Sequence, residues 1–293
     1  MGNKEFTFAG EETATSAVDS DSLSLSRDSK NMCQLLGMNC NVPTDICFSF
    51  TGFHQRGGKT DHHSDGWGIA FFEGAGCRLF LDPAAAVRSP VAELVRNYPI
   101  RSRNVIAHIR KATQGPVCLE NTHPFMRELW GRYWIFAHNG TLEKFAPALR
   151  RDYRPVGSTD SELAFCHLLE GLRGRFGAEP PELPALFGAL QEWAANAAAH
   201  GVLNFLLSNG ECLFAHCSDR LWYIVRRAPF TTAHLVDEDV AVDFSQVTTP
   251  DDRVAVIATL PLTDNETWTA LDPGELAVFQ NGERLSTTDL VSR

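Results

Sequence analysis

Short apolar runs separated by turn residues fill the chain from residue 32 onward, and this pattern constrains the fold more than any other feature of the sequence. Runs of this length are typical of β-strands, and several are apolar on both alternating faces, as in a sheet that is covered on both sides. The sequence therefore predicts layered sheets. The predicted strands cover residues 105–109, 134–137, 203–207, 212–215, 221–225, 254–258 and 275–279.

Two helices are predicted between the early and the late strands. The first begins at Thr159, where the order Thr-Asp-Ser-Glu fits a capping box, and continues to Phe176 with apolar residues at helical spacing. The second covers residues 182–200, with leucines and Trp193 on one face. Strands, two adjacent helices and further strands predict an α+β layered domain.

Composition excludes several functions. The chain has 293 residues, with 26 basic and 36 acidic residues and a formal net charge of −10, which argues against binding to nucleic acid or to an anionic membrane. No apolar stretch reaches the length of a membrane helix, roughly 20 residues. The eight cysteines form no C-x-x-C pair and no zinc-finger spacing. We expect free thiols in a reducing compartment, hence a cytoplasmic protein.

Residues 1–31 differ from the rest in being rich in Ser, Thr, Asp and Glu. Their scattered apolar residues cannot offset the entropy of ordering, which predicts a disordered segment. The segment lacks the features of a secretory signal and is too acidic for a typical mitochondrial presequence. It is interpreted as a removable leader, an ordinary tail or a start assigned too early, with Met32 as the true first residue in the last case.

Polar residues interrupt the apolar pattern at four places, namely residues 32–37, 62–68, 107–113 and 137–140, the last followed by 158–162. Taken singly, the polar residues have ordinary structural explanations. Asn139-Gly140 fits a tight turn after a strand, and Asp65-Gly66 fits another turn. Asp160 fits the first turn of a helix, where it complements the helix dipole. Arg110 fits a surface ion pair, and the three histidines at positions 108, 123 and 138 fit satisfied core residues.

Taken together and in this order, the polar segments resemble the class II glutamine amidotransferase domain, an N-terminal-nucleophile hydrolase. The resemblance runs from Cys33 to about residue 285, and the stretch 41–50 is similar to the stand-alone bacterial YafJ-type members. The sequence motifs on which the resemblance rests are Met32-Cys33, Arg56-Gly57, Asp65-Gly66-Trp67-Gly68, His108 to Thr113, Asn121 to Phe125, His138-Asn139-Gly140 and Thr159 to Glu162.

The resemblance implies a fold, a chemistry and a set of site residues. The implied fold is a four-layer αββα sandwich formed by residues 32–293, with both predicted helices in one outer layer. The implied activity is hydrolysis of the side-chain amide of glutamine to glutamate and ammonia, without metal or other cofactor. The implied residues are Cys33, Asn139 and Gly140 for catalysis, Arg110, Thr113 and Asp160 for substrate binding, and Arg56, Asp65, Gly66 and His123 in support.

The chemical properties of these residues suit those roles. A free α-amino group has a pKa of about 7.7–8.0, so the amine of an N-terminal Cys33 can take the proton of its own thiol. Asn139 and the backbone N–H of Gly140 can stabilise an oxyanion. A guanidinium such as that of Arg110 grips a carboxylate with two hydrogen bonds, and Asp160 has the charge to bind an α-ammonium. An amide-linked Cys33 has no such base, so a chain that keeps residues 1–32 is expected to be nearly inactive.

Three points remain open at the level of sequence. Many members of the family have Trp where Lys111 stands and His where Gln114 stands. His62 and His63 have no assigned role, and a solvated loop is favoured over a metal site for them. The same residues would serve a γ-glutamyl peptide hydrolase, or a non-catalytic sensor of glutamine. No phosphate loop of the G-x-x-x-x-G-K form is present, so the ammonia is expected either to be released or to pass to a separate synthase partner.

Overall fold

The structure, a computed structural model, describes residues 33–61, 63–112, 115–150, 152–286 and 289–290. Seven strands form the first sheet, and all of its neighbouring strands are antiparallel, in the order β13-β9-β12-β1-β4-β2-β3. These strands are β1 (Gln34–Thr44), β2 (Trp67–Glu73), β3 (Gly76–Asp82), β4 (Ser102–Ile109), β9 (Trp222–Arg227), β12 (Arg253–Ala258) and β13 (Thr269–Ala270).

A second antiparallel sheet has six strands in the order β15-β14-β8-β7-β6-β5. A separate hairpin is formed by two short strands, β10 (Thr232–His234) and β11 (Ala241–Asp243). The strands of the second sheet are β5 (Phe125–Leu129), β6 (Arg132–Leu142), β7 (Gly201–Ser208), β8 (Cys212–His216), β14 (Leu276–Gln280) and β15 (Glu283–Arg284).

Helices cover the outer face of each sheet and complete the four layers. The helices α1 (Cys47–Gln55) and α2 (Pro90–Asn97) pack Phe50, Phe53 and Val95 into the core of the first sheet. On the other side, α3 (Asp160–Phe176) and α4 (Leu183–Ala198) share a core with the outer face of the second sheet. The predicted four-layer αββα sandwich, with these two helices in one outer layer, is confirmed.

The two sheets face each other across an apolar layer that includes Leu35, Ile106, Ala137, Leu206 and Ile257. Their side chains are fully buried, with exposed fractions of 0%. Burial of apolar surface contributes about 25 cal/mol per Å², so this layer is a major source of stability. Among the described residues no helix is long and apolar enough to span a membrane.

The start of α3 shows a modified capping box. Thr159 Oγ1 accepts a hydrogen bond from the backbone N–H of Glu162 at 3.2 Å, as the sequence predicts. The carboxylate of Glu162 instead accepts from the backbone N–H groups of Val156 and Gly157, and it pairs with Arg127. In a regular capping box this carboxylate would accept from the backbone N–H of Thr159. Here Glu162 fixes the loop that leads into the helix instead.

Candidate functional site

Cys33 lies immediately before β1, and its thiol contacts the chain just after β4. Its Sγ accepts a hydrogen bond from the backbone N–H of Lys111 at 3.1 Å and lies 3.3 Å from the Lys111 carbonyl oxygen. Burial raises the pKa of the Cys33 thiol to about 11, and the Lys111 N–H and the charge of Arg110 oppose only part of this shift. A thiol in this setting requires a base to react at neutral pH.

Asn139 brings the second sheet into contact with Cys33. Its Nδ2 donates to the carbonyl oxygen of Cys33 at 2.5 Å and lies 3.4 Å from Thr259 Oγ1. Asn139 and Gly140 are residues inside β6 and pair with Asn204 and Leu203 of β7. The alternative interpretation of Asn139-Gly140 as a tight turn is therefore wrong, because the chain continues as a strand to Leu142.

Gly140 occupies a position that requires glycine. Its φ is +151°, and a Cβ added there would lie 1.9 Å from the carbonyl oxygen of Val202. Side chains rarely adopt this φ, and the opposing atom belongs to the backbone of the neighbouring strand. The strand therefore presents its backbone next to Asn139 without an intervening side chain.

We predict that Gly140→Ala destabilises the protein by about 3 kcal/mol, because it combines an unfavourable φ with a backbone clash. The free energy of unfolding, measured by urea denaturation, checks this. Gly188→Ala is a matched control, since Gly188 is exposed in α4 and an added Cβ would contact nothing within 4 Å. The control should be neutral or slightly stabilising, and equal effects of the two substitutions would contradict the prediction.

Arg110 directly follows β4 and is buried, with an exposed fraction of 3%. Its guanidinium donates to the carbonyl oxygens of Pro116 and Gly115, at 3.1 and 3.5 Å. The interpretation of Arg110 as a surface ion-pair partner is thus wrong. Thr113 and Gln114 lie outside the described residues, so the predicted hydroxyl donor of Thr113 remains a prediction.

Asp160 is the first residue of α3 and is bound to the strand that carries Asn139. Its Oδ2 accepts from the backbone N–H of Leu142 at 2.7 Å, and its Oδ1 accepts from the N–H of Ser161 at 2.9 Å. Leu142 lies two residues beyond Gly140 in β6. The carboxylate is therefore fixed beside the end of the strand that carries Asn139 and Gly140.

His138 connects the same strand to α3 and is a satisfied core residue, as one interpretation of the sequence predicts. Its Nε2 lies 3.0 Å from the Val202 carbonyl oxygen, and its Nδ1 lies 2.8 Å from Ser161 Oγ. A carbonyl only accepts, so Nε2 carries the proton and Nδ1 accepts from the serine hydroxyl. Burial lowers the pKa of His138, which agrees with a neutral ring.

Asp65 and Gly66 hold the segment that includes Arg110. The Asp65 carboxylate accepts from the backbone N–H of Ala112 at 2.8 Å. The Arg110 N–H donates to the Gly66 carbonyl at 2.8 Å, and the Asp65 N–H donates to the Arg110 carbonyl at 3.2 Å. These contacts fix the backbone on both sides of Lys111, whose N–H donates to the Cys33 sulfur.

Arg56 is buried and supports the residues next to Cys33. Its Nε is 2.7 Å from Asp237 Oδ2, and its guanidinium donates to the carbonyls of Leu260 and Pro261. A longer contact of 3.4 Å reaches the side-chain oxygen of Gln34. Arg56 therefore acts on the residue after Cys33 and does not contact Cys33 itself by any hydrogen bond among the described residues.

Three histidines depart from the sequence-based interpretation. His63 is fully buried beside Asp61, with Nδ1 3.0 Å from Oδ2, so its assignment to a solvated loop is wrong; His62 lies outside the described residues. His108 and His123 are buried core residues, as expected, but their ring nitrogens have no hydrogen-bond partner within the part of the chain that the structure describes. The ring of His108 has a weaker interaction with the backbone of His138.

Sequence reasoning missed two residues that position Asn139. Thr259 Oγ1 accepts from the backbone N–H of Leu35 at 2.9 Å and faces the Asn139 amide. Asn204 donates to the Asn139 carbonyl at 3.2 Å, and it is fixed in turn by Asp219 and by three backbone N–H groups. A weak signal existed for both, because each is a polar residue within or directly after an apolar strand.

The class of protein to which this fold belongs is identified by sequence comparison. The model of the family described as "Glutamine amidotransferases class-II" matches residues 32–292. This chain belongs to that family.

Its similarity extends to particular proteins. An Escherichia coli protein named "Putative glutamine amidotransferase YafJ" is 56% identical over 254 residues, which cover 87% of this chain and 100% of that protein. The crystal structure titled as that of a predicted glutamine amidotransferase from Pseudomonas aeruginosa is 52% identical, with a TM-score of 0.71, and the match covers 87% of this chain and 100% of that one.

Two more distant similarities are informative. A Mycobacterium tuberculosis gamma-glutamyl-hercynylcysteine sulfoxide hydrolase is 29% identical over 167 residues, covering 57% of this chain and 64% of that protein. A Bacillus subtilis glutamine phosphoribosylpyrophosphate amidotransferase structure is 15% identical, with a TM-score of 0.54 over 86% of this chain and 48% of that one. The latter similarity shows the fold alone.

Proposed function

We propose that this protein hydrolyses the side-chain amide of glutamine to glutamate and ammonia, with Cys33 as an N-terminal nucleophile. The observation that carries the proposal is the contact between the two sheets. Asn139 Nδ2 lies 2.5 Å from the Cys33 carbonyl oxygen, while the Cys33 sulfur lies against Lys111, next to Arg110. A thiol, an amide donor and a guanidinium are the groups that such a reaction requires.

The proposed reaction begins when the α-amine of Cys33 removes the thiol proton. The thiolate attacks the amide carbon, and the carbonyl oxygen becomes an oxyanion. The Asn139 amide and the Gly140 N–H stabilise this oxyanion. The intermediate then collapses, the amine returns the proton, and ammonia leaves behind a γ-glutamyl thioester. Attack by water releases glutamate and restores the thiol. No cofactor takes part in any of these steps.

The amino-acid end of the substrate is assigned to Arg110 and Asp160, with Thr113 as an added donor. Arg110 would pair with the α-carboxylate and Asp160 with the α-ammonium, because opposite charges and bidentate geometry favour these contacts. Arg56, Asp65, Gly66 and His123 are proposed to support the site and not to contact the substrate.

We predict that Arg110→Lys and Asp160→Asn each raise KM for glutamine by about 10- to 100-fold. Each removes a charge-assisted contact worth about 1.5–3 kcal/mol. Steady-state measurement of glutamate release checks this prediction. Arg132→Lys, which changes an exposed ion pair with Glu211, is the matched control and should leave KM unchanged. Unchanged KM in both site variants would remove Arg110 and Asp160 from the proposed pocket.

A second candidate is hydrolysis of γ-glutamyl amides or peptides by the same residues. The similarity to the mycobacterial hydrolase favours it. Chemically, a pocket that binds the α-carboxylate and α-ammonium leaves the group beyond the amide unspecified. Glutamine and a panel of γ-glutamyl dipeptides, compared by kcat/KM for glutamate release, separate the two candidates. Preference for a dipeptide by tenfold or more would reassign the substrate, and no turnover with any compound would refute both.

The destination of the ammonia and the cellular setting remain part of the proposal. We expect a cytoplasmic protein whose partner, where one exists, is an ammonia-accepting synthase. No interaction with nucleic acid or membrane is expected from the net charge of −10.

A further inference from the structure

Two histidines lie between the sheets, in a layer that is built largely from apolar side chains. His108 is in β4, opposite Leu35 of β1 and Gly68 of β2. The ring of His123 stacks on that of His108, with centroids 4.3 Å apart, and also contacts Phe125 at 4.5 Å. A Cβ at Gly68 would lie 2.4 Å from the carbonyl oxygen of His123, so the absence of a side chain there admits the pair.

The ring nitrogens of this pair have no full hydrogen-bond partner among the described residues. Exposed fractions are 0% for His108 and 4% for His123, and the ring nitrogens of His123 make no hydrogen bond to the described residues. Those of His108 make no full hydrogen bond either, although the ring interacts with the backbone of His138. Buried polar groups in native proteins are nearly always hydrogen-bonded to protein or to ordered water. The apolar side chains of the layer between the sheets, such as those of Ile106 and Ala137, cannot supply a hydrogen bond.

Both rings are neutral at working pH. Burial lowers the pKa of His108 to about 3 and lowers the pKa of His123 well below its usual value. The titratable and charged groups that face the pair are His138 of β6, Arg110 after β4 and, for His108, His63. The charges of all three disfavour protonation further, and the interaction of His108 with the His138 backbone opposes part of this effect. A neutral imidazole carries one donor and one acceptor, which is the complement of a water molecule.

We propose that His108 and His123 together bind a buried water molecule between the two sheets, and that this hydrated pair positions Asn139 and Gly140 relative to Cys33. Water fits because it is small, neutral and able both to donate and to accept. The location fits because His108 pairs with Leu35, two residues after Cys33, and faces His138, which precedes Asn139. The kinetic part of this inference rests on the proposed function; the binding of water does not.

A crystal structure of the protein at a resolution that shows ordered water tests the first part. The expected result is a density peak within about 2.7–3.2 Å of a ring nitrogen of His108 or His123. A second crystal structure, of His123→Phe, should have lost this peak. Absence of a water peak near His108 and His123 in the native crystals would overturn the inference, whatever activity the protein has.

Kinetics of two variants of His123 test the positioning role. His123→Phe is expected to lower kcat by about tenfold or more with KM for glutamine changed less than about threefold, because misplaced oxyanion donors affect the transition state. His123→Gln retains a hydrogen-bonding group and should recover most of kcat. It also provides the test if His123→Phe does not fold.

The matched control is His216→Phe, a buried histidine stacked on Phe205 at 5.3 Å, on the outer face of the second sheet. It should leave kcat unchanged. A kcat for the His123 variants within twofold of native would refute the positioning role. Absence of turnover in the native protein would count against the proposed function instead, and the crystallographic result would still decide on the water.

Discussion

Replacing Cys33 by alanine is expected to abolish glutamate release, with a decrease in kcat of about 10⁴-fold or more. The substitution removes the proposed nucleophile, and losses of this size follow when a covalent catalyst is deleted. The proposed substrate contacts of Arg110 and Asp160 are left unchanged, so the variant should still bind glutamine. Glutamate release and calorimetric binding of glutamine, measured on the same preparation, check both statements.

Cys47→Ala is the matched control for this experiment. Cys47 is also a half-buried free cysteine with a thiol pKa raised to about 11 by burial, yet it begins α1 and makes no contact with Asn139 or Lys111 among the described hydrogen bonds. It should retain full activity. Turnover by Cys33→Ala comparable to native would refute the nucleophile, and a ligand response without any native turnover would favour the sensor interpretation.

The strands and the layer order could be predicted from the sequence because their determinants are local. Each of the seven predicted runs became a strand, and residues 159–176 and 182–200 became α3 and α4 with small changes at the ends. The strands and helices that the sequence did not predict contain polar or small residues that interrupt their apolar pattern. β1, for example, includes Gly37 and Asn39, and α1 includes two serine or threonine residues among its aromatics.

The site could be predicted only in part, because the residues that hold its side chains in place are far away from them in the sequence. Short sequence motifs pointed to Cys33, Arg110, Asn139 and Asp160. The structure brings Cys33 into contact with Asn139 and with Lys111, the residue after Arg110. The contacts of Arg56 with Asp237 and of Asn139 with Thr259 join residues more than 100 positions apart. No local spacing encodes such pairs, because the sheets decide which strand ends meet.

Burial was the property least accessible to sequence. His63 stands in a polar stretch between His62 and Ser64, yet its side chain is fully buried beside Asp61. His108 and His123 were recognised as core residues, but nothing in the sequence indicated that the core would leave their nitrogens unpaired. Whether a buried polar atom finds a hydrogen-bond partner depends on the exact positions of neighbouring residues from several strands and loops.

The second large effect is expected from release of the Cys33 amine. While residues precede Cys33, its nitrogen is an amide and the buried thiol has a pKa of about 11, so only about one thiol in 10⁴ is ionised at pH 7. A free α-amine supplies a base of pKa about 7.7–8.0 on the same residue, and its protonated form stabilises the thiolate by opposite charge.

A protease site that ends immediately before Cys33 allows one preparation to be compared before and after cleavage. Cleavage is expected to raise kcat/KM by about 10³-fold, because it supplies the proposed general base, and to shift the pH midpoint of Cys33 alkylation downward from about 11. A variant that leaves one alanine in front of Cys33 after cleavage controls for loss of the preceding segment and should stay inactive. Equal activity of the alanine-extended and free-cysteine forms would refute the amine as base, since the extended form holds its amine one residue away from the thiol.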